Sequence, residues 1–260
     1  MHAGGGCVLF WAVLAVADNS FRSFGGLHLA AVGVVAALAV GLVVWARRAG
    51  SQRLARRIGR TLAVAMVANE LVYLAYGFAV VGLGEFVRRF LPLHICGVAI
   101  FLTAWTLWRP NRRVYEIAYF WALGGSVQAL LTPSMAEGEG FPTYWFFAFF
   151  AGHGLTVAGA AFATWGLGMR PGRGAVLRVV VVSNLYMLAV AGVNWLTGAN
   201  YMFLCGPPQG VSPFFFLRWP WYIVVLEFVG LGLMGLLCLP FVVGDRLRRR
   251  WLSRGGAEAI

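Results

Sequence analysis

The sequence predicts an all-α membrane protein: one bundle of about seven transmembrane helices, with the amino terminus outside and the carboxyl terminus in the cytoplasm. Three observations predict it. The 260-residue chain is 60% hydrophobic and only 12% charged, whereas a soluble domain is about a quarter charged. Several apolar runs reach the roughly 20 residues that a helix needs to cross a bilayer core. All 21 basic residues are arginines, grouped in short stretches between those runs.

The runs define spans at about 27–46, 61–82, 90–108, 114–132, 144–167, 176–197 and 220–243. Their orientation follows from the arginines of the short connections. Six lie in RRAGSQRLARRIGR (47–60), three in RPNRR (109–113), three in 168–178 and five in the tail beyond Asp245. The alternate connections hold only Arg22, Arg88, Arg89 and Arg218. Seventeen against four places the arginine-rich side in the cytoplasm. A basic chain can also bind nucleic acid, but that needs a contiguous patch. Scattered loop arginines speak for topology, so membrane lipids are the expected partners and nucleic acid is not.

No long polar linker breaks the runs, so residues 21–245 read as a single bundle and 246–260 as a basic cytoplasmic tail. Residues 1–20 read as an interfacial or signal-like extension. CVLFWAVLAVA (7–17) is too short to span and ends in an A-x-A pattern, Ala15 and Ala17, yet no positive residue precedes it. The cysteines Cys7, Cys96, Cys205 and Cys238 contain no CxxC pair, which removes cysteine-based zinc or haem attachment. A Cys7–Cys205 disulfide on the outer side is the one bridge the topology allows. Phe141, Tyr144 to Phe147, Phe214 to Phe216, Trp219, Trp221 and Tyr222 crowd the outer boundary, where amphipathic rings favour the interface. No repeat relates two halves of the chain, which speaks against a secondary transporter of the usual kind.

A polar side chain in hydrocarbon costs several kcal/mol unless paired, so each one asks for a partner. His28, Asn69, Glu70, His94, Cys96, Gln128, His153, Asn184, Asn194 and Glu227 fall inside the spans. At about 1.5 Å per residue, most of them lie in the outer half, although they come from seven different helices. A water-accessible cleft opening outward and floored by Glu70 accounts for that layer. Each also has a plainer reading. A lone histidine at a helix start commonly bridges helices, Asn184 and Asn194 are ordinary interhelical glue, and Cys96 reads as a small core residue. Two residues apart on a helix, His94 and Cys96 point about 200° apart and form no dyad, while Glu70 and Tyr73 share a face.

Three histidines and two carboxylates suit two chemistries. Zinc needs three or four ligands, but no HExxH-type spacing is present. General acid–base catalysis needs only a histidine, something to orient it, and a nucleophile in reach. It demands less and ranks first; no metal or other cofactor is expected.

At LPLHIC (91–96) the sequence resembles the YwaF-like family of bacterial integral membrane proteins. FGGLHLA with His28, QALLTP (128–133), FFAGHG with His153, NYMFL (200–204) and PWYI (220–223) extend the resemblance from about residue 21 onward. That family is similar to a eukaryotic transmembrane group of cysteine-dependent acyltransferases that build polyunsaturated ether phospholipids. It is more distantly similar to the androgen-induced membrane hydrolases. In the eukaryotic group a cysteine directly precedes the third-span histidine. Here Leu93 stands at that position, so His94 carries over and the nucleophile does not.

These readings lead to a lipid-directed acyltransferase or hydrolase working in an outward-facing intramembrane cleft of the bacterial plasma membrane. His94 is the expected general base, Glu70 or Glu227 its orienting or charge-balancing partner, and His153 a second acid–base or oxyanion-stabilising group. His28, Gln128, Asn194, Asn200 and Tyr201 are expected to bind substrate. A small-solute or proton-coupled transporter and a non-catalytic membrane scaffold are the rival readings.

Overall fold

The computed structural model describes residues 21–135, 138–208 and 215–255. The 1–20 extension and Cys7 lie outside the described residues, as do Phe214 and the last five residues.

The described chain is helical throughout its ordered elements. α1 is Gly26–Ala49, α2 Gln52–Arg89, α3 Ile95–Trp108 and α4 Arg112–Trp121. A π-helical turn, Ala122–Ser126, continues α4 into α5, Val127–Leu131. α6 is Tyr144–Ala161, extended by a second π turn, Phe162–Gly166. α7 is Ala175–Thr197, a 3₁₀ turn covers Tyr201–Phe203, and α8 is Trp221–Gly255. Five of these passages are long and apolar enough to cross a membrane: Gly26–Ala49, Gln52–Arg89, Tyr144–Gly166, Ala175–Thr197 and Trp221–Leu247. The other two are the short α3 and the α4–α5 passage, which the π turn interrupts.

Local chemistry sets the boundaries. Ser51 caps α2 by accepting from the Leu54 N–H, Asn111 caps α4 by accepting from Arg113 and Val114, and Thr143 caps α6 by accepting from Phe146. Gly50 and Gly198 close α1 and α7 in the left-handed region. Within α2 the helix breaks at Gly82 (φ 74°, ψ 173°), a conformation that disfavours any side chain. The sequence-derived second span ends at that residue. α8 runs past the expected end at 243 and takes in the start of the basic tail.

Seven passages leave the bundle with two unlike ends. One carries the arginine-rich connections and is dry. There Ile58, Leu62, Met66, Leu107, Tyr115, Tyr119, Phe120, Phe162 and Val179 pack into the main core. Glu116, 1% exposed, receives both nitrogens of the Arg178 fork at 2.8–3.0 Å and the Gly172 N–H at 2.9 Å. Arg47 donates to the Trp165 carbonyl, and Arg170 bridges to Asp245 at 2.9 Å. The other end carries the connections 90–94, 132–135, 138–143, 198–208 and 215–220, and it is hollow.

α6 is the central post: 67% of its apolar window is buried, against 6–17% for the other four long passages. It packs on α1, α2 and α3. α7 and α8 stand against the α4–π–α5 side. Trp195, Phe228, Leu185 and Leu188, each 62–85% exposed, face outward as a lipid-bathed surface requires. The aromatic layer divides. Phe141, Phe147, Trp219 and Trp221 are exposed as an interfacial belt should be, while Phe146 and Tyr222 are buried.

Candidate functional site

The hollow end holds a cavity of about 820 Å³. Its walls gather polar side chains from five passages: Asn69, Glu70 and Tyr73 of α2, Cys96 of α3 with His94 just before it, Gln128 of α5, His153 of α6, and Glu227 of α8. Ser183 of α7 adds a hydroxyl. The mouth is formed by Arg89 to Pro92, Thr132 to Met135, Glu139, Trp145 and the Met202–Leu204 turn. No lining residue comes from the connections at the arginine end, 49–52, 108–112 or 166–175. The chamber stops short of the arginine end.

His94 sits at the N-cap of α3 in extended conformation (φ −68°, ψ 147°), so it precedes the helix rather than belonging to it. Helical spacing therefore does not separate it from Cys96, and both side chains line the same cavity. The Met202 backbone N–H donates to His94 Nδ1 at 3.2 Å. A neutral imidazole that accepts at Nδ1 carries its proton on Nε2. His94 thus offers an N–H, and the Tyr201 and Phe203 rings pack around it at 5.4 and 5.2 Å.

His153 is the mirror case. Its Nδ1 lies 2.9 Å from the Phe149 carbonyl, which can only accept, so the proton is on Nδ1 and Nε2 keeps its lone pair. The Phe149 ring lies against it at 4.3 Å. Both imidazoles line the same cavity. Backbone groups orient both. Among the described residues neither Glu70 nor Glu227 hydrogen-bonds an imidazole, which differs from the carboxylate partner expected for His94.

Glu70 is 6% exposed, makes no hydrogen bond or ion pair among the described residues, and faces the lumen. Glu227 accepts from Asn184 Nδ2 at 3.3 Å, a link between α7 and α8 that fits the reading of Asn184 as interhelical glue. Asn69 reaches past α6 because residue 152 is glycine; a Cβ there would stand 3.2 Å from Asn69 Nδ2. Gln128 donates to Thr132 Oγ1 at 3.3 Å on the opposite wall.

The remaining expected site residues lie outside the lining and hold other things in place. His28, 1% exposed, accepts the Phe24 N–H at 2.8 Å and donates from Nε2 to the Leu130 carbonyl at 2.7 Å. Both of its nitrogens are spent on backbone, so a three-histidine metal set is not assembled. Asn194 grips Tyr201 twice, donating to its carbonyl and accepting its N–H, each at 2.9 Å. The Tyr201 hydroxyl donates to Val87 O and accepts from Leu91 N. Asn200 accepts from Cys205 N and donates to Gly206 O. Tyr222 donates to the Phe203 carbonyl and Trp219 to that of Leu204. Together these bonds pin the 3₁₀ turn, with Met202 at φ 57° and Phe203 at φ 55°, over His94. Cys96, Cys205 and Cys238 are not bonded to one another.

Sequence reasoning missed Ser183, whose hydroxyl accepts from Trp121 Nε1 at 2.8 Å, and it missed Glu116. The signal for Glu116 was present: a carboxylate one turn after Arg112 and Arg113, at the start of an amphipathic stretch.

A family model described as the TMEM164 family matches residues 23–238. No curated protein and no solved structure matches the chain.

Proposed function

The chain belongs to the TMEM164 family, a family of transmembrane proteins, and from that premise we propose that it is a lipid-directed acyltransferase or hydrolase of the bacterial plasma membrane. One observation carries the reading. Two backbone-oriented imidazoles, of opposite tautomer when neutral, line a single cavity that stops short of the arginine end of the bundle. One supplies a lone pair and the other an N–H, the pair of functions that acyl transfer asks of its catalyst.

The roles follow from the protons and reverse the assignment drawn from sequence. His153 Nε2 is the base: it removes the proton of water or of a lipid hydroxyl as that oxygen bonds to the ester carbonyl carbon. The His94 Nε2–H donates to the oxyanion that forms. When the ester C–O bond breaks, the leaving alkoxide takes the proton back from His153. Glu70, facing the lumen, balances the imidazolium while it lasts. The resemblance to ether-phospholipid acyltransferases agrees in substrate class. Leu93, at the position of their cysteine, makes direct activation of an oxygen nucleophile the simpler route. A cavity that stops short of the arginine end counts against a transport path.

The test is lipid turnover by the purified full chain reconstituted in vesicles of phosphatidylcholine with added lysophosphatidylcholine, read by mass spectrometry. Removing a general base costs about 10²–10⁴-fold in rate. His153→Ala is expected to fall in that range with its thermal unfolding unchanged. Full turnover by His153→Ala, or no acyl exchange or hydrolysis by the wild type in any lipid mixture, overturns the reading.

A further inference from the structure

Below Glu227 the cavity changes character. The walls continue as Phe120 and Trp121 from α4, Val180 and Ser183 from α7, and Gly230, Leu231, Leu233 and Met234 from α8; the Ser183 hydroxyl is already bonded by Trp121 Nε1 at 2.8 Å, and none of these side chains is titratable. From Ile223 to Met234 the α8 wall rises about 16 Å at 1.5 Å per residue. That is about half of a ~30 Å hydrocarbon core, the depth of one leaflet. The lower part, from Glu227 to Met234, accounts for about 10 Å of it.

Water has little to hold it in such a shaft, because an ordered water needs two to four polar partners. Hydrocarbon does not. Leu231 lines the shaft and is 41% exposed, on a helix whose apolar window is only 6% buried, so this wall of the shaft is the thickness of one helix from the bilayer. Among the described residues no hydrogen bond ties α8 to its neighbours between Glu227, which bonds Asn184, and Leu237, whose carbonyl accepts from Tyr119. The floor, by contrast, is fixed. Phe120 is 2% exposed, packs on Tyr119 at 5.2 Å, and belongs to the main core.

The geometry points to an acyl-chain slot. One hydrocarbon chain of a membrane glycerolipid enters from the bilayer beside Leu231, lies between Val180 and Leu233, and ends against Phe120 and Met234. The ester of that chain is thereby left among the polar groups above Glu227, on the side of the two histidines. This rests on the lipid-directed reading and adds to it the part of the substrate that is recognised: the chain, measured by the distance to the floor.

Photo-crosslinking tests the slot without needing turnover. The full chain is reconstituted in dioleoyl phosphatidylcholine vesicles doped with a phosphatidylcholine bearing a terminal diazirine on one acyl chain, and labelled residues are mapped by mass spectrometry. The expected label falls on Phe120, Val180, Leu233 or Met234 in addition to the lipid-facing Phe228. Leu233→Trp, which fills the shaft, is expected to reduce the inner label several-fold and leave the Phe228 label unchanged. Where that variant does not accumulate, Val180→Phe fills the shaft from the opposite wall. Label confined to lipid-facing positions, or inner label insensitive to both variants, overturns the slot. His153→Ala is expected to keep the inner label. A labelled but inactive wild type would end the catalytic reading while leaving the slot standing.

Discussion

The Met202 backbone N–H and the His94 Nδ1 atom, 3.2 Å apart, join the loop-end 3₁₀ turn to the start of α3. The bond fixes the proton of a neutral His94 on Nε2, so the residue acts as a donor. A donor can be replaced by another donor. His94→Ala is expected to lose about 10²–10³-fold in turnover, the usual cost of an oxyanion donor. His94→Gln, whose amide N–H reaches the Nε2 position, is expected to recover a measurable part of that rate, whereas His153→Gln recovers none because an amide takes up no proton. Initial rates on reconstituted protein decide between them, and equal losses in His94→Gln and His94→Ala, with both folded, would remove the donor role.

The passages themselves were readable because a bilayer imposes a length on apolar runs. The seven sequence-derived spans coincide with the seven helical passages, although α2 begins nine residues early, at Gln52, and α8 runs on to Gly255. Both overruns are arginine-rich helix, invisible to a search for apolar residues. The cavity was half readable. The layer of polar residues identified Glu70, His94, Gln128, His153 and Glu227, all of which line it. It could not separate them from His28 or Asn194, because the partners of those two are a carbonyl at Leu130 and the backbone of Tyr201. Backbone partners leave no trace in side-chain identity. The His94–Cys96 spacing gave no guide to their relative direction, because helical periodicity holds only inside a helix and α3 starts at Ile95.

The Glu116–Arg178 pair makes an unequal prediction. Arg178 is 36% exposed at its side chain and Glu116 only 2%. Removing the arginine strands a buried carboxylate, a loss of about 3–5 kcal/mol for such pairs. The Gly172 N–H at 2.9 Å and Arg112 at 3.4 Å still pair with Glu116 in that variant, which keeps the loss at the low end of the range. Removing the carboxylate leaves an arginine that reaches water, at a cost of about 1–2 kcal/mol. Thermal unfolding in detergent is therefore expected to rank Arg178→Ala below Glu116→Ala. The opposite order would mean that Glu116 is the better solvated partner.

Seventeen arginines against four set the expected orientation, and the fold puts a natural reporter at the other end. Cys205 is exposed in the loop-end connection after α7. In a Cys7→Ser background, a membrane-impermeant maleimide added to intact cells is expected to label Cys205. A cysteine placed at the arginine end, Arg109→Cys, is expected to label only after permeabilisation. The reverse pattern would invert the molecule in the membrane and put the cavity mouth in the cytoplasm.

Cys96 brings a thiol to the chamber, and the geometry argues against its use as nucleophile. Among the described residues the thiol hydrogen-bonds neither imidazole: His94 Nδ1 is occupied by Met202 and its Nε2 holds the proton, while the His153 Nε2 lone pair is the one assigned to the oxygen nucleophile. A thiol without a base is a weak nucleophile at neutral pH. Leu93, directly before His94, offers only its carbonyl, which accepts from Tyr186 at 2.8 Å. Cys96→Ala is therefore expected to keep turnover within a few-fold of wild type, and no acyl adduct should be found on the Cys96 peptide when the reaction is quenched in acid. A folded Cys96→Ala protein that loses activity as fully as His153→Ala, together with an acylated Cys96 peptide in the wild type, would replace water or hydroxyl activation with a covalent route through this thiol.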